Sequence, residues 1–121
     1  MYQMGAVERR FADLIWYNEP IPSPQLVILA AKELNWQKAT TYTILKKLCD
    51  KGIFVNIKAI VTSLISRDKY YAQEGATWLD DTFKGSLPVF LTALCNERPL
   101  KEEDIAFLRS LIDEYEDCTP C

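Results

Sequence analysis

The segment that most constrains the fold runs from Lys38 to Gly52, with the sequence KATTYTILKKLCDKG. Its apolar residues recur three and four positions apart, as they do along the buried side of a helix. That side comprises Ile44, Leu45, Leu48 and Cys49, together with Thr41 one turn earlier. The other side carries hydroxyl, phenol and ammonium groups, on Thr40, Tyr42, Thr43, Lys46 and Lys47. Gly52 ends the predicted helix, because only glycine enters the left-handed C′ conformation without steric cost.

The polar side of this helix suits a DNA groove. Hydroxyls of Ser, Thr and Tyr reach phosphates and base edges, and lysines neutralise the DNA backbone. An ordinary amphipathic surface helix is the competing interpretation, since it shows the same periodicity. The neighbouring segments therefore decide between the two.

The composition indicates a globular, cytoplasmic protein. The 121 residues suffice for one ordinary domain or a small domain plus an accessory element, and 49% are hydrophobic and 26% charged. No apolar run approaches the roughly 18 residues that span a bilayer. The N-terminus, MYQMGAVERRF, lacks the apolar core and cleavage site of a secretory signal. We therefore expect no membrane contact, and four cysteines that are mainly reduced thiols.

Charge is divided unevenly along the chain. Residues 1–70 contain ten Lys/Arg and six Asp/Glu, a net +4, whereas residues 71–121 contain four and eleven, a net −7. The total of −3 disfavours a polyanionic partner. A basic first half can still steer one, because local potential matters more than total charge.

Two more helices are predicted before this segment. The first spans Val7–Trp16. Ser23 is a predicted N-cap and Pro24 takes the first helical position, where a missing N–H costs nothing, so the second helix runs over Gln25–Leu34. A short link at Asn35-Trp36 then completes a helix-turn-helix signature.

After this helix-turn-helix the periodicity changes to that of strands. Two runs rich in β-branched and aromatic residues, Ile53–Asn56 and Ile60–Leu64, flank a tight polar turn. A β-hairpin attached to three helices makes a winged helix-turn-helix. The hairpin is short and its turn offers only Lys58 to a phosphate, so the alternative is a hairpin that merely covers the helices. The predicted contacts to double-stranded DNA are Lys38, Thr40, Thr41, Tyr42, Thr43, Lys46, Lys47 and Lys58.

Three further helices are predicted in the second half. Ser66 caps the first, which ends at Lys84-Gly85, Ser86 caps the second, Leu87–Cys95, and the third spans Lys101–Glu116. They carry more large apolar side chains than short helices can bury among themselves, which favours burial against a second copy. Packing back onto the first half is the alternative. The predicted dimerisation residues are Tyr71, Trp78, Leu87, Phe90, Leu91, Leu94, Ile105, Leu108 and Ile112.

The predicted fold class is therefore mainly α with a small β-hairpin wing. It consists of a winged helix-turn-helix DNA-binding domain over residues 1–66, a helical dimerisation region over residues 67–117 and a tail over residues 118–121.

Several blocks of this sequence resemble the penicillinase-repressor family, which includes methicillin-resistance and copper-responsive repressors. The similarity extends from Val7 to Asp117, and its most specific parts are Trp36–Gly52, Phe83–Leu87 and Glu102–Ile105. It implies a homodimeric transcriptional repressor that binds a palindromic operator near an antibiotic-resistance gene or a related stress gene. In the β-lactam systems a membrane sensor triggers proteolysis of the repressor, so a regulatory protease is a further implied partner.

The resemblance extends to particular residues of the predicted recognition helix. Thr40 and Thr43 match positions at which members carry hydroxyls, and Lys46 matches a basic position. Tyr42 stands where others commonly carry a different polar side chain, so the operator sequence does not transfer.

The chain also departs from the family. Relatives of the β-lactam type are cleaved at an Asn-Phe pair where this chain has Ala93-Leu94, and their wing is longer, with a basic tip. Copper-responsive relatives end in two CxC pairs, whereas only Cys118 and Cys121 remain here. Two thiolates leave a metal half-coordinated, so we expect no metal or other cofactor, with a metal-responsive repressor as the alternative.

Catalysis finds little support in the sequence. The chain contains no histidine, which removes the commonest general base and metal ligand. Its four glycines form no phosphate-binding loop. We therefore predict a DNA-binding protein rather than an enzyme. A winged-helix module that binds other proteins is the competing function.

Overall fold

The computed structural model describes residues 3–118 of the chain, and the side chains of residues 3–116. Within that range it has six helices and three short strands, which form the predicted winged helix and helical C-terminal region. In chain order they are α1 (Ala6–Asn18), β1 (Ile21–Pro22), α2 (Ser23–Leu34), α3 (Lys38–Asp50), β2 (Phe54–Ile57), β3 (Ile60–Ser63), α4 (Arg67–Phe83), α5 (Leu87–Glu97) and α6 (Glu102–Cys118).

The chain divides into two compact units, of which the first ends at Thr77 and the second begins at Trp78. This division falls within α4, whereas the sequence places the end of the DNA-binding domain at residue 66. The functional boundaries at residues 66 and 117 stay predictions, because compactness does not show which residues bind DNA. Residues 119–121 of the predicted tail lie outside the described part.

Several helix ends lie where the capping residues in the sequence predict them. Gly52, just beyond α3, has a φ of +81°, the left-handed conformation expected of it. The Lys69 amide donates to Ser66 Oγ at 3.2 Å, and the Val89 amide donates to Ser86 Oγ at 3.2 Å. Both predicted serine caps are therefore confirmed.

The start of α2 differs from the prediction. Ser23 is the first residue of the helix rather than its N-cap, and Pro22 takes the N-cap position. Ile21 and Pro22 form strand β1, which pairs antiparallel with Val61 and Ile60 of β3, giving the sheet order β1-β3-β2. A two-residue strand is too short for a periodic signal, so the sequence shows only the helix start here.

The first unit has one core, in which α1, α2 and α3 pack around the sheet. Its largest fully buried side chains are Phe11, Ile15, Leu26, Thr41, Leu48, Phe54 and Val61. Tyr70 of α4 joins this core, and its hydroxyl accepts a hydrogen bond from the Met4 amide at 3.2 Å. Burial raises the pKa of Tyr70 to about 12, so the phenol stays neutral.

The beginning of α4 is bound to α1. Arg67 Nε donates to Asp13 Oδ1 at 2.9 Å, and its guanidinium carbon lies 4.9 Å from the centre of the Tyr71 ring. Trp16 Nε1 donates to the Ile65 carbonyl oxygen at 3.1 Å. Tyr71, which the sequence assigns to the dimer interface, thus packs its ring within the first unit.

The second unit contains an aromatic cluster but no full core. The rings of Trp78, Phe83 and Phe90 lie 5.1–5.5 Å apart between centres. Between residues 78 and 116, no side chain is fully buried. Burial of apolar surface is the main stabilising term of a domain, so this unit by itself has little to hold it together.

The wing turn adopts a backbone conformation that disfavours its residues. Lys58 and Ala59 connect β2 to β3 with φ values of +53° and +63°. A two-residue hairpin turn of type I′ requires positive φ at both positions and prefers Asn-Gly. A residue with a Cβ loses about 1–2 kcal/mol in this conformation.

We expect Ala59→Gly to raise the free energy of unfolding by about 0.5–1 kcal/mol, because glycine adopts a positive φ without a Cβ clash. Urea denaturation at fixed protein concentration measures the change. Ala72→Gly, at an exposed position of α4, is the matched control and should lower the same free energy by about 0.5–1 kcal/mol. Equal losses from the two substitutions would contradict a strained turn.

Candidate nucleic-acid interface

Helix α3 is anchored by one side and exposes the other. Thr41, Leu45 and Leu48 are buried in the first unit. The exposed polar residues are Lys38, Thr40, Thr43, Lys46 and Lys47. Burial on one side fixes the rotation of the helix about its axis, and so decides which side chains can meet a ligand.

The two exposed threonines lie in the N-terminal half of α3, the part of a recognition helix that contacts base edges. Thr43 Oγ1 donates to the Ala39 carbonyl oxygen at 2.8 Å. Because its proton is used within the helix, Thr43 offers its lone pairs to a partner. Such an acceptor suits the amino groups that adenine and cytosine present in the major groove.

Thr41 is not part of this surface. Its side chain is 0% exposed, and its hydroxyl donates to the Gln37 carbonyl oxygen at 3.3 Å. The sequence places Thr41 on the buried side by its spacing and among the DNA contacts by its hydroxyl. The second assignment is wrong, because a hydroxyl bonded to a carbonyl one turn earlier can be buried without leaving a polar atom unsatisfied.

Tyr42 is half-buried, although the sequence groups it with the exposed polar residues. Its ring packs against the core of the first unit, and its hydroxyl donates to Ser23 Oγ at 3.3 Å. The phenol group therefore bonds to α2 within the molecule.

The lysines of α3 have different surroundings. Lys38 and Lys46 are exposed. Lys47 Nζ lies 3.3 Å from Glu8 Oε1 of α1. An exposed pair of this kind contributes at most about 1 kcal/mol, so a phosphate group can compete with this carboxylate for the ammonium.

A cleft of about 480 Å³ separates α3 from the wing. Its lining is apolar apart from a few groups, and comprises Tyr42, Leu45, Lys46, Cys49, Phe54, Val55, Asn56 and Leu64. Burial raises the pKa of the Cys49 thiol, which keeps it protonated. Asn56 is an exposed amide that the sequence analysis does not single out, since its place at the end of a predicted strand carries no signal for binding.

The wing carries Lys58 at its tip, next to exposed apolar groups. Ile57 and Ile60 flank the turn, face each other across the strands and are 61% and 39% exposed. In the described residues of the hairpin, 54–63, Lys58 is the single basic side chain. The wing and α3 thus lie on either side of one cleft, with lysines on both.

A comparison with protein-family models shows the family of this chain. The family model described as Penicillinase repressor matches residues 4–114. The chain belongs to the penicillinase repressor family. Membership indicates a DNA-binding transcriptional repressor. No curated protein gives a significant match.

Two further observations bear on partners of the repressor. None of the helices in residues 3–118 combines the length and apolar composition needed to cross a bilayer. The described residues contain no group of three or more His, Cys, Asp or Glu side chains placed to hold a metal ion. The weak metal candidates, Cys121 and the side chain of Cys118, lie outside the described part.

The residues that the sequence assigns to the dimer interface of the repressor have mixed exposure. Trp78, Leu87 and Ile112 are exposed. The half-buried members are Tyr71, Phe90, Leu91, Leu94, Ile105 and Leu108. Further exposed apolar side chains of the second unit, outside that assignment, are Val89, Phe107, Leu111 and Tyr115. Their role in association stays a prediction.

Thr40 and Thr41 provide a matched pair of substitutions. We expect Thr41→Val to leave DNA affinity unchanged and to alter the free energy of unfolding by about 1 kcal/mol, because it removes one buried hydrogen bond. Thr40→Val should leave stability within about 0.5 kcal/mol and weaken DNA binding. Denaturation and fluorescence anisotropy measure the two quantities, and a loss of affinity confined to Thr41→Val would overturn the orientation of α3 described above.

Proposed function

We propose that the repressor is a homodimer whose two α3 helices enter successive major grooves of a palindromic operator. The observation that carries this proposal is the exposed polar side of α3, which presents Thr40, Thr43 and Lys46 from a helix fixed by burial on its other side. Recognition helices related by a two-fold axis meet half-sites about 34–36 Å apart, or a multiple of that distance. The operator should therefore be a palindrome.

The polar side chains divide between base edges and phosphates. Thr40 and Thr43 lie where a recognition helix meets base edges, so we assign them to sequence preference. Four exposed lysines supply charge to phosphates: Lys38, Lys46, Lys47 and Lys58. Phosphate contacts of this kind fix the register and orientation of the protein on DNA, and they carry no sequence information.

The second unit supports association of two copies. Its apolar side chains at Trp78, Leu87 and Ile112 are exposed, and residues 78–116 include no fully buried side chain. Covering such surface contributes roughly 25 cal/mol for each Å² of apolar area removed from water. A two-fold dimer supplies that cover by using the same surface on both copies.

Family membership makes an antibiotic-resistance gene, or a related stress gene, the proposed target. A repressor acts on DNA, so we place the protein in the cytoplasm. The proposal contains no proteolytic step. Ala93-Leu94 replaces the Asn-Phe pair of the β-lactam relatives, and both residues are half-buried within α5.

Operator binding should weaken steeply with salt, because cations released from DNA drive it. A dimer that makes roughly 6–10 phosphate contacts loses about 10³–10⁵ in affinity between about 50 and 200 mM salt. Fluorescence anisotropy measures this on a palindrome selected by the protein from random-sequence DNA. A flat response of the unmodified protein would contradict the proposal and favour a winged-helix module that binds other proteins.

Lys46→Gln tests the proposed phosphate contact of α3. It should weaken binding to all sequences alike and lower the slope of log affinity against log salt by about one for each protomer. Lys101→Gln removes the same charge at an exposed position of the second unit and is the control. A control that lowers the slope as much as Lys46→Gln would show an effect of overall charge only.

Ile112→Asp tests association through the second unit. A carboxylate introduced into the apolar surface should convert dimers to monomers, because burying an unpaired charge costs several kcal/mol. Ser110→Asp introduces the same charge at an exposed polar position of α6 and should leave the dimer intact. Sedimentation equilibrium distinguishes the two, and a dimeric Ile112→Asp protein would contradict this part of the proposal.

A further inference from the structure

We propose that Tyr42 is a positioning residue, which sets the wing relative to the recognition helix through Ser23 and does not contact a base. This inference rests on the proposed function, since it concerns how two DNA-contacting elements are held together. It gives a role to the residue of α3 that stands where relatives commonly carry a different polar side chain.

A short chain of hydrogen bonds connects α3 to the wing tip. Tyr42 of α3 donates its phenol proton to Ser23 Oγ at 3.3 Å. The Ser23 backbone amide donates to the Ala59 carbonyl oxygen at 2.8 Å. Ala59 is the second residue of the wing turn, so two hydrogen bonds reach from the recognition helix to the tip of the hairpin.

Ser23 is suited to be the middle of this chain. Its side chain is 4% exposed, so its hydroxyl has little access to water and depends on a protein partner. Pro22, which precedes it and pairs with Ile60, has no N–H to donate. The Ser23 amide is therefore the first backbone donor after Ile21, and it donates to the wing turn at Ala59.

The base of the wing is held separately, by Glu19, the residue that follows α1. The Ser63 amide and hydroxyl donate to Glu19 Oε1 at 2.9 and 2.8 Å. With the base fixed in this way, the tip is positioned by the pairing of β1 with β3 and by the bond from the Ser23 amide. The Ser23 attachment at the tip is also connected to α3, through the hydrogen bond from Tyr42.

The surroundings of Tyr42 disfavour contact with a base. The ring is half-buried against the core and lines the cleft beside Val55 and Asn56 of the wing. To reach a base edge, the side chain would leave this packing and leave the buried Ser23 Oγ without its partner, which is unfavourable because a buried polar group loses its hydrogen bond. A positioning role requires no such movement of the side chain.

A double-mutant cycle in the 121-residue chain tests the inference. Tyr42→Phe removes the phenol and keeps the ring, and Lys58→Gln removes the charge at the wing tip. Affinity is measured by anisotropy on the palindrome selected by the unmodified protein. We expect each single change to weaken binding about three- to tenfold and the double variant to be weaker than either single one by less than about twofold, because coupled residues are not additive.

Two further variants provide an independent test of the hydrogen bond and a control. Ser23→Ala keeps the backbone donor to Ala59 and removes the acceptor of the Tyr42 proton, so it should reproduce the loss seen with Tyr42→Phe. It also serves as the replacement if Tyr42→Phe fails to fold. Tyr17→Phe is the control, since Tyr17 is 71% exposed on α1 and has no part in the chain of hydrogen bonds. It should leave affinity unchanged.

Three outcomes would overturn the inference. Losses that multiply in the double variant, with a changed base preference at one operator position, would make Tyr42 a base contact. A lower melting temperature with unchanged affinity would make its role structural only, and an unaffected Lys58→Gln protein would mean that wing position is irrelevant. Failure of the unmodified protein to bind any palindrome in a salt-dependent way would instead overturn the proposed function.

Discussion

The burial of one side of α3 is the constraint on which the proposed DNA-binding surface depends. Leu45 and Leu48 enter the core together with Thr41, and a helix held at three points on one side cannot rotate about its axis. Its exposed side is then determined residue by residue, since neighbours in sequence differ by about 100° around a helix. Thr40 and Thr41 are adjacent in the chain, yet one is in solvent and the other in the core.

Much of the fold could be predicted because local chemistry determines it. The αL glycine at residue 52 and the two serine caps, Ser66 and Ser86, depend only on a few neighbouring residues. Strand β1 could not be predicted, because its two residues are strand only by pairing with β3, nearly forty positions later in sequence. The error at Ser23 has the same origin, since that strand moves the N-cap to Pro22.

The types of residue at the candidate site could be predicted from the sequence, but the orientation of some of their side chains could not. Spacing identified the helix and the exposed lysines, but Thr41 and Tyr42 carry both apolar and polar groups, so composition alone leaves their orientation open. Packing determines the orientation. Burial of the Thr41 methyl group and the Tyr42 ring stabilises the fold by more than burial of their hydroxyls costs, because each hydroxyl has an acceptor within the protein. No pattern along the chain could have indicated that the acceptor of Tyr42 lies in α2.

The absence of buried side chains between residues 78 and 116 has a thermodynamic consequence. Apolar surface that one copy leaves in water contributes to stability only when another surface covers it. In the proposed dimer, the stability of this unit would follow mass action and its melting temperature would rise with protein concentration, whereas a unit with its own core melts independently of concentration. In a cell, the amount of this protein would then govern both how much of it can act and how much of it remains folded.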